Sequence, residues 1–377
     1  MRVAIDAHMI GTRETGNETY VLNLLRALAR IDKVNEYFLL TPHPLYLPTD
    51  LLAQPNFSAD SIFPWASPIR IALTMPYLCW RRGYHLLHVS YIAPPFCPAP
   101  TVVTVHDISY EIFPDFFSPR DRRLLSTFVP LSARRAAKII APSENTKNDI
   151  VKRYGIDGDT IVVTHYASSP RFKPISNPDQ LLAVREKYGI TREFILTVGN
   201  LQPRKNIARL IKALDRLTER HPTEYQLVIV GQPSWRAGEI RRLLDDKGLH
   251  EHVILAGYVP PEDLPLLYNA ATLFVYPSLY EGFGLPPLEA MSCGTPVIAS
   301  NVSSLPEILG DGAVLVDPYR VEALTDAMLG LLSEPGRLSA LRARGLARSK
   351  VFSWEATARR TLLVYEEVAG HTARTRP

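Results

Sequence analysis

The sequence has no run of about 18 apolar residues, which is the length that a bilayer-spanning helix needs. Prolines interrupt its most apolar stretches, as in the Ala-Pro-Pro-Phe segment at residues 93–96. The chain begins Met-Arg-Val-Ala-Ile-Asp, which predicts a first strand rather than a secretory signal. We therefore expect a protein that has no transmembrane helix and resides in the cytoplasm.

Cysteine is scarce, because Cys79, Cys97 and Cys293 are the only three in 377 residues. They form no Cys-x-x-Cys pair and no metal-ligand spacing, which excludes a disulfide framework and predicts reduced, buried thiols. The Gly-x-Gly-x-x-Gly fingerprint is also absent after the candidate strands. Its absence argues against a dinucleotide-dependent dehydrogenase.

The net charge of +4 is too small to indicate a nucleic-acid partner. The charge is uneven, however, because nine basic side chains and only three acidic ones fall within residues 120–153. Solvated helix faces would account for this excess. Alternatively, the region is a basic surface for anionic lipid or a lipid diphosphate acceptor, which predicts peripheral contact with the inner face of the membrane.

Short apolar strands alternate with amphipathic helices, which is typical of α/β proteins whose parallel sheets are covered on both faces. The strands predicted in the first half are Val3–Ala7, Tyr37–Thr41, Leu86–Val89, Thr101–Val105, Lys138–Ala141 and Ile161–Thr164. Those predicted in the second half are Phe194–Val198, Gln226–Val230, Val253–Ala256, Leu273–Tyr276, Val297–Ala299 and Ala313–Val316. The helices are predicted near 18–29, 120–136, 144–154, 207–219, 236–246, 262–269, 287–292, 321–332, 337–349 and 354–368.

A stretch at residues 167–178 carries three prolines and lacks periodicity, which predicts a linker. We therefore expect one domain over residues 1–170 and a second over residues 171–352. Ligands bind at the carboxyl ends of the strands in such sheets. The loops that follow strands are thus the places to look for chemistry.

The segment after the strand at Leu273–Tyr276 carries the strongest signal. It reads Pro-Ser-Leu-Tyr-Glu-Gly-Phe-Gly-Leu-Pro-Pro-Leu-Glu and ends at Glu289. Its glycines allow the backbone to approach a ligand, and its proline pair suits a helix start, whose dipole favours an anion. The carboxylates of Glu281 and Glu289 can accept hydrogen bonds from sugar or ribose hydroxyls. By themselves, they could equally be a solvated loop residue and a helix-start charge.

Two further loops hold candidate residues. Arg204 and Lys205 follow a strand, where a forked donor beside a point charge suits phosphate oxygens, although a solvated pair would also fit. His106 and Asp107 follow another strand and could serve acid–base chemistry or cap a turn. The Asp-Gly-Asp at residues 157–159 has the form of a metal site, but its context predicts a turn.

The motif consists of Glu281, seven residues that include Gly-Phe-Gly-Leu-Pro, and Glu289, and it continues Ala-Met-Ser-Cys-Gly-Thr-Pro. It closely resembles the signature of the retaining GT-B glycosyltransferases of family 4. The resemblance spans nearly the whole chain. It implies a GT-B fold, in which two Rossmann-like domains face each other across a cleft. It also implies that a final helix, residues 353–370, returns to the first domain.

The resemblance implies a role for each candidate residue. His106 and Glu281 would be catalytic and contact the donor sugar, with Glu289 on the ribose. Arg204 and Lys205 would bind the donor diphosphate, and the amides of Phe283, Gly284 and Leu285 would lie against the sugar and the diphosphate, so no metal is expected. Many relatives have an arginine where this chain has Asn200, which leaves individual phosphate contacts open. The other donor-binding candidates are Gly16, Phe283, Gly284 and Leu285, and further candidates are Asn17, Asp107, Gly199, Asn200 and Ser278.

The resemblance further implies transfer of a hexose, with retention, from a nucleotide-diphosphate sugar to an acceptor hydroxyl in polysaccharide or glycolipid assembly. Residues 110–118 resemble the mannosyl type, which favours GDP-mannose as donor over a UDP-sugar. The acceptor would be a saccharide or a lipid-linked saccharide, and no other cofactor is expected. Two alternatives stay open, namely a nucleotide-sugar 2-epimerase on the same architecture and a non-catalytic nucleotide-sugar-binding protein.

Overall fold

The computed structural model describes residues 1–12, 15–63, 67–220, 225–232 and 237–375. The chain forms two compact units. The first comprises Met1–Tyr166 together with the segment from Ser353 onward, and the second comprises Ala167–Phe352. The chain leaves the first unit where the predicted linker begins.

The first unit contains a seven-stranded parallel sheet of order β3-β2-β1-β4-β5-β6-β7. Its β1 is a switch point, because the order runs to β2 on one side and to β4 on the other. The strands are β1 (Arg2–Asp6), β2 (Glu36–Thr41), β3 (Phe57–Ser61), β4 (Leu86–Ser90), β5 (Thr101–Thr104), β6 (Lys138–Ala141) and β7 (Ile161–Val163). The six predicted strands are confirmed, and β3 is an addition.

Sequence reasoning missed β3 because Phe-Ser-Ala-Asp-Ser has no apolar run. It is an edge strand, so only one side of it pairs, and side chains such as Ser58 and Ser61 are exposed. The helices of this unit up to its exit are α1 (Thr15–Ile31), α2 (Thr49–Leu52), α3 (Ser67–Ile69), α4 (Met75–Arg82), α5 (Ser109–Ile112), α6 (Pro119–Arg135) and α7 (Glu144–Tyr154). A π-helical stretch, Arg70–Thr74, joins α3 to α4.

The second unit contains a six-stranded parallel sheet of order β10-β9-β8-β11-β12-β13. Its strands are β8 (Glu193–Val198), β9 (Tyr225–Val230), β10 (Val253–Gly257), β11 (Leu273–Tyr276), β12 (Val297–Ser300) and β13 (Ala313–Val316). Its helices are α8 (Pro178–Lys187), α9 (Ile207–Arg220), α10 (Ala237–Lys247), α11 (Leu264–Ala270), α12 (Leu285–Cys293), α13 (Leu305–Leu309), α14 (Val321–Leu332) and α15 (Pro335–Ser349). All six predicted strands are confirmed, which establishes the predicted α/β class.

Several helix predictions need correction. The sequence patterns predict no helix at α2, α3, α4, α5, α8 or α13, and α12 begins at Leu285 rather than at Pro287. The prolines around α8 suggested a linker, but Pro178 occupies the first turn and the Asn177 side chain caps it by accepting from the Asp179 amide. The predicted start of the 236–246 helix, Arg236, lies outside the described residues.

The last helix, α16 (Trp354–Thr375), belongs to the first unit and packs against α1. Its Tyr365 hydroxyl lies 2.6 Å from Nδ1 of the buried His88 on β4. Its Thr357 hydroxyl donates to the carbonyl of His165, next to the exit from this unit. Among the described residues, no helix is both long and apolar enough to cross a bilayer.

Candidate functional site

The carboxylate of Glu281 is the centre of the second unit's polar cluster. Four donors converge on its Oε1: Lys205 Nζ at 2.6 Å, Ser278 Oγ at 2.6 Å, the Tyr276 hydroxyl at 2.9 Å and an Arg204 guanidinium nitrogen at 2.9 Å. Within the described chain, Oε2 has no hydrogen-bond partner and is not a buried atom. One oxygen therefore anchors the side chain, and the other is open to a ligand.

Burial by itself would raise the pKa of Glu281, but the charges of Arg204 and Lys205 hold it at about 2. Glu281 is consequently an anion at neutral pH. It can accept hydrogen bonds from hydroxyls but holds no proton to donate. The two cations beside one carboxylate leave a net positive charge in the cluster.

Asn206 orients the loop that carries both cations. The loop follows β8 and ends in a single 3-10 turn, Pro203–Lys205, after which Asn206 adopts a left-handed conformation with φ of 60°. The buried Asn206 amide donates to the carbonyls of Pro277 and Pro318 at 3.0 and 2.8 Å. Asn206 therefore ties together three loops, a role that its turn-forming chemistry alone did not reveal.

Gly199 lies at the start of that loop, where it meets the loop after β9. A side chain at Gly231 would place its Cβ 2.0 Å from the Gly199 carbonyl oxygen, so the close approach requires glycine. The Lys205 side chain packs over Gly199, whereas Asn200 is exposed. Gly231 was missed, although a lone glycine directly after a predicted strand is a usable signal.

The backbone before α12 supplies fewer free amides than the helix start suggested. Pro286 and Pro287 occupy the first turn and have no N–H group. Gly284 and Leu285 do have amides, and neither donates a hydrogen bond within the described chain. Gly284 has φ of +96°, and a Cβ there would lie 2.6 Å from Leu305. An anion at this helix start would thus be held by amides of the preceding loop.

Phe283 packs inside the second unit rather than facing outward. It is buried, and its ring makes an edge contact with Phe352, with centroids 5.8 Å apart. Phe352 is the last residue of this unit before the chain returns to the first. The backbone of Phe283, rather than its side chain, is therefore suited to contact a ligand.

Two serines after β12 hold the backbone of Glu281. The Glu281 amide donates to Ser303 Oγ, and the Ser304 hydroxyl donates to the Glu281 carbonyl, both at 2.9 Å. Ser303 has an unfavourable positive φ of 54°, which places backbone strain at this contact. Neither serine was a candidate from the sequence, because nothing local indicates a contact with a residue so far along the chain.

Glu289 lies on α12 and is held differently from Glu281. Its Oε2 accepts a hydrogen bond from the buried Tyr268 hydroxyl at 3.1 Å, while Oε1 has no partner among described residues. Burial raises the pKa of Glu289 to about 7, despite the opposing effects of Tyr268 and of the Arg171 charge. The two glutamates of the motif therefore differ in protonation near neutral pH.

The raised pKa of Glu289 predicts a pH-dependent penalty on folding. The folded state favours the protonated form of Glu289, and this contribution to stability is fully present below pH 4.5, the ordinary pKa of a glutamate. The contribution is lost as the pH rises through about 7. Relative to Glu289→Gln, the wild-type free energy of unfolding should fall by about 2 to 3 kcal/mol over this range. Urea denaturation of both proteins at several pH values measures this difference, and parallel pH profiles would contradict it.

His106 is the centre of a buried polar and aromatic cluster in the first unit. It follows β5, and its Nδ1 lies 2.6 Å from the Tyr166 hydroxyl, with Nε2 3.2 Å from Ser90 Oγ. The rings of Tyr20 and Tyr91 make edge contacts with it, at 4.9 and 5.2 Å. Burial lowers the pKa of His106 to about 3. The imidazole is therefore neutral and acts as one donor and one acceptor.

Tyr166, the last residue before the chain leaves the first unit, orients His106. Its ring is stacked on Trp354 of α16, with centroids 5.8 Å apart.

We expect Tyr166→Phe to lower kcat about 5- to 100-fold, because a lost hydrogen bond to a buried group costs about 1 to 3 kcal/mol. The donor KM should change little. Tyr154→Phe, which removes another buried hydroxyl of this unit, is the control, and an unchanged kcat for Tyr166→Phe would refute the prediction.

The remaining candidates of the first unit have simpler surroundings. Asp107 Oδ1 accepts from the Ser109 amide and hydroxyl at 2.8 and 2.7 Å, which is a turn-capping arrangement. Gly16 lies in the first turn of α1, is exposed and has no atom within 4 Å of a hypothetical Cβ. Asn17, beside it, is half-buried. The structure thus gives Gly16 no conformational need for glycine.

The Asp157-to-Asp159 segment forms the predicted turn. Asp157 caps a single 3-10 turn, Gly158–Thr160, by accepting from the Asp159 amide at 3.0 Å. In the part of the chain that the structure describes, no group of three or more His, Cys, Asp or Glu side chains could hold a metal ion.

Comparison with known proteins identifies the family of the chain. A family model described as "Glycosyl transferases group 1" matches residues 183–348, and one described as "Glycosyltransferase Family 4" matches residues 15–167. The chain is 39% identical over 267 residues to O-antigen chain mannosyltransferase B of Escherichia coli, a match that covers 70% of each protein.

Solved structures share the fold. Sucrose-phosphate synthase from Thermosynechococcus elongatus has a TM-score of 0.78 and 22% identity, with 98% of this chain and 99% of that chain covered. Anabaena HepE in complex with UDP and glucose has a TM-score of 0.76 and 18% identity, with 97% and 100% covered. The chain belongs to the group 1 glycosyl transferases and is a glycosyltransferase of GT-B fold.

Proposed function

We propose that this enzyme transfers mannose from GDP-mannose, with retention, to a hydroxyl of a saccharide acceptor in polysaccharide assembly. The observation that carries the proposal is the pair Glu281 and Glu289, each held through one carboxylate oxygen and open through the other. The named activity of the Escherichia coli relative and the mannosyl-type segment after His106 favour mannose. The UDP in the HepE structure keeps a UDP-sugar as the second candidate donor.

In the proposed complex the two glutamates have different tasks. Oε2 of the anionic Glu281 accepts a hydrogen bond from a donor-sugar hydroxyl, and Glu289 does so from the ribose. The Gly284 and Leu285 amides and the positively charged side chains of Arg204 and Lys205 bind the diphosphate. These fixed donors stabilise the charge that develops on the leaving group.

The neutral His106 is proposed to bind a donor-sugar hydroxyl rather than to act as a charged acid. With a pKa of about 3, the ring is neutral at any pH near neutrality. Tyr166 holds its Nδ1, so the sugar hydroxyl would replace Ser90 Oγ, which lies 3.2 Å away, as the partner of Nε2. Glu281 is not proposed as a nucleophile, since four donors saturate one of its oxygens and orient the other for hydrogen bonding. No metal ion is part of the proposal.

The donor is tested by thermal unfolding with a panel of sugar nucleotides. GDP-mannose should raise the apparent melting temperature more than UDP-glucose does, since a ligand that binds the folded state stabilises it. Assays with donor alone separate the alternatives: an epimerase would yield an altered sugar nucleotide without acceptor. A binding protein would give neither transfer nor hydrolysis. Stabilisation by UDP-sugars alone would overturn GDP-mannose as donor.

We also propose that the first unit contacts an anionic membrane surface through α4, α6 and the basic residues of 120–153. Both helices pack on one core cluster and turn large apolar side chains outward. The arginines of α6 are exposed as well. A basic helix with an exposed apolar face is suited to a bilayer interface. The exposed apolar side chains are Leu73, Tyr77 and Trp80 in the α4 region and Leu124, Phe128 and Leu131 on α6.

Vesicle sedimentation tests the membrane contact. We expect binding to vesicles with about one-third anionic lipid, weakened at least tenfold by Leu124→Glu with Phe128→Glu and screened by salt. Leu182→Glu, at an exposed leucine of the second unit, is the matched control. Equal binding by both variants, or no binding by the wild type, would refute the proposal.

A further inference from the structure

Asp6 and His8 form a polar pair at the carboxyl end of β1. Asp6 is buried, and its Oδ1 lies 2.8 Å from His8 Nδ1 and accepts from the His8 amide at 3.2 Å. The His8 side chain is 24% exposed, and its Nε2 has no partner in the described part of the chain. The pair is therefore anchored on one side and accessible on the other.

Arg70 lies at the start of the helical segment that leads from the carboxyl end of β3 back to β4, and its charge acts on Asp6. It is only 5% exposed, yet its guanidinium makes no hydrogen bond or ion pair with any described residue, and its Nε is fully buried. Burial opposes ionisation of Asp6, but the contact with His8 and, to a smaller extent, the charge of Arg70 lower the pKa of Asp6. The buried Nε has no acceptor among the described residues, and the two terminal nitrogens are not buried atoms, so they are open to a ligand.

The backbone at Arg70 is unusual as well. Arg70 is the first residue of the π-helical stretch Arg70–Thr74 that leads into α4. Such stretches are rare in α-helical segments and occur frequently at functional sites. The wider π-helical turn therefore begins at the buried Arg70.

The position of the three side chains in the sheet suits a ligand. β1 is the switch point of the first sheet, and ligands of open parallel sheets bind at the carboxyl ends of strands there. His106 follows β5, two strands from β1 in the order β1-β4-β5. At about 4.8 Å per strand, the pair lies about 10 Å from His106 along the same sheet edge.

The charges define the class of ligand. The guanidinium of Arg70 donates hydrogen bonds, the carboxylate of Asp6 accepts them, and the opposite charges of the two groups cancel. A free anion would be repelled by Asp6, whereas neighbouring hydroxyls, each both donor and acceptor, would satisfy both groups. We propose that Arg70, Asp6 and His8 form a subsite that binds hydroxyls of the acceptor saccharide, an inference that rests on the proposed transfer to a saccharide.

Saccharide binding is measured directly, without donor turnover, by saturation-transfer NMR and calorimetry. The probes are methyl α-mannoside, α-linked mannobiose and mannotriose, and the corresponding glucose and galactose disaccharides. We expect Arg70→Met and Arg70→Lys to weaken binding of the best probe at least tenfold. Arg70→Lys keeps the charge and loses the fork, so it tests the subsite even if Arg70→Met fails to fold. Arg82→Lys, in α4 at an arginine paired with Asp60, is the matched control and should bind within twofold of wild type.

Thermal stabilisation by GDP-mannose is recorded for the same proteins and should be unchanged in the Arg70 variants. This readout tests the proposed donor separately, so its failure and that of the subsite are distinguishable. The subsite is overturned if the folded Arg70 variants bind the probes as the wild type does, or if the wild type binds no probe. Stabilisation of the wild type by inorganic phosphate that is lost in Arg70→Met would show an anion site instead and would also overturn it.

Discussion

Glu281→Gln is expected to lower the rate of sugar transfer by about 100- to 1000-fold, the range seen when one preorganised polar group is lost from an active site. The amide has one acceptor oxygen, whereas the carboxylate has two. Either Lys205, Ser278 and the other donors on Oε1 lose their acceptor, or the donor-sugar hydroxyl does. Initial rates at saturating donor measure the effect.

The same substitution should also destabilise the second unit. Arg204 and Lys205 are each only 13% exposed in their side chains, and the change removes their shared counter-ion. Breaking a buried ion pair in this way costs about 3 to 5 kcal/mol. Glu322→Gln, at a surface ion pair of the same unit, is the control. A folded Glu281→Gln variant with the wild-type rate would contradict the assignment of Glu281 to the donor-binding site.

Arg204→Met combined with Lys205→Met is expected to weaken binding of GDP by about 100-fold or more, since each charge-assisted contact contributes about 1.5 to 3 kcal/mol. Guanosine, which has no phosphate, should bind as it does to the wild type. This contrast separates the loss of a phosphate contact from general damage to the fold. Calorimetry with both ligands provides the measurement.

The control for the double variant is Lys212→Met, which removes an exposed lysine of α9. It should leave both affinities unchanged. If the double variant binds GDP as tightly as the wild type, the diphosphate is held by the Gly284 and Leu285 amides alone. In that case Arg204 and Lys205 serve only to anchor Glu281.

Repeated local patterns made most strands and helices predictable. A buried parallel strand is a short apolar run, and an amphipathic helix repeats its apolar residues within a few positions, so both are visible in a short window. The edge strand β3 lacks such a run, since only part of it is buried. The helix α8 was missed because its cap, Asn177, and its first residue, Pro178, fall within the predicted linker.

The candidate residues of the donor motif were predictable for a related reason. Glu281, Gly284, Leu285 and Glu289 lie within nine consecutive positions, so their spacing is written directly in the sequence. Asn206, Gly231 and Ser303 were missed, because each acts on a loop that is distant in sequence. Arg70 gave no signal at all, since an arginine in a helix is ordinarily a solvated surface residue.

The sequence by itself determined the alternation of strands and helices, the glycines and prolines that shape the donor loop, and the presence of two glutamates. Only the tertiary structure decided the pKa values, and thus the protonation states, of those two glutamates. Lys205, 76 positions from Glu281 in sequence, helps to hold the pKa of Glu281 at about 2, whereas burial outweighs the charge of Arg171 and raises the pKa of Glu289 to about 7. The physical reason is that desolvation and Coulomb attraction depend on distances in space, which residues far apart in sequence acquire only when the chain folds.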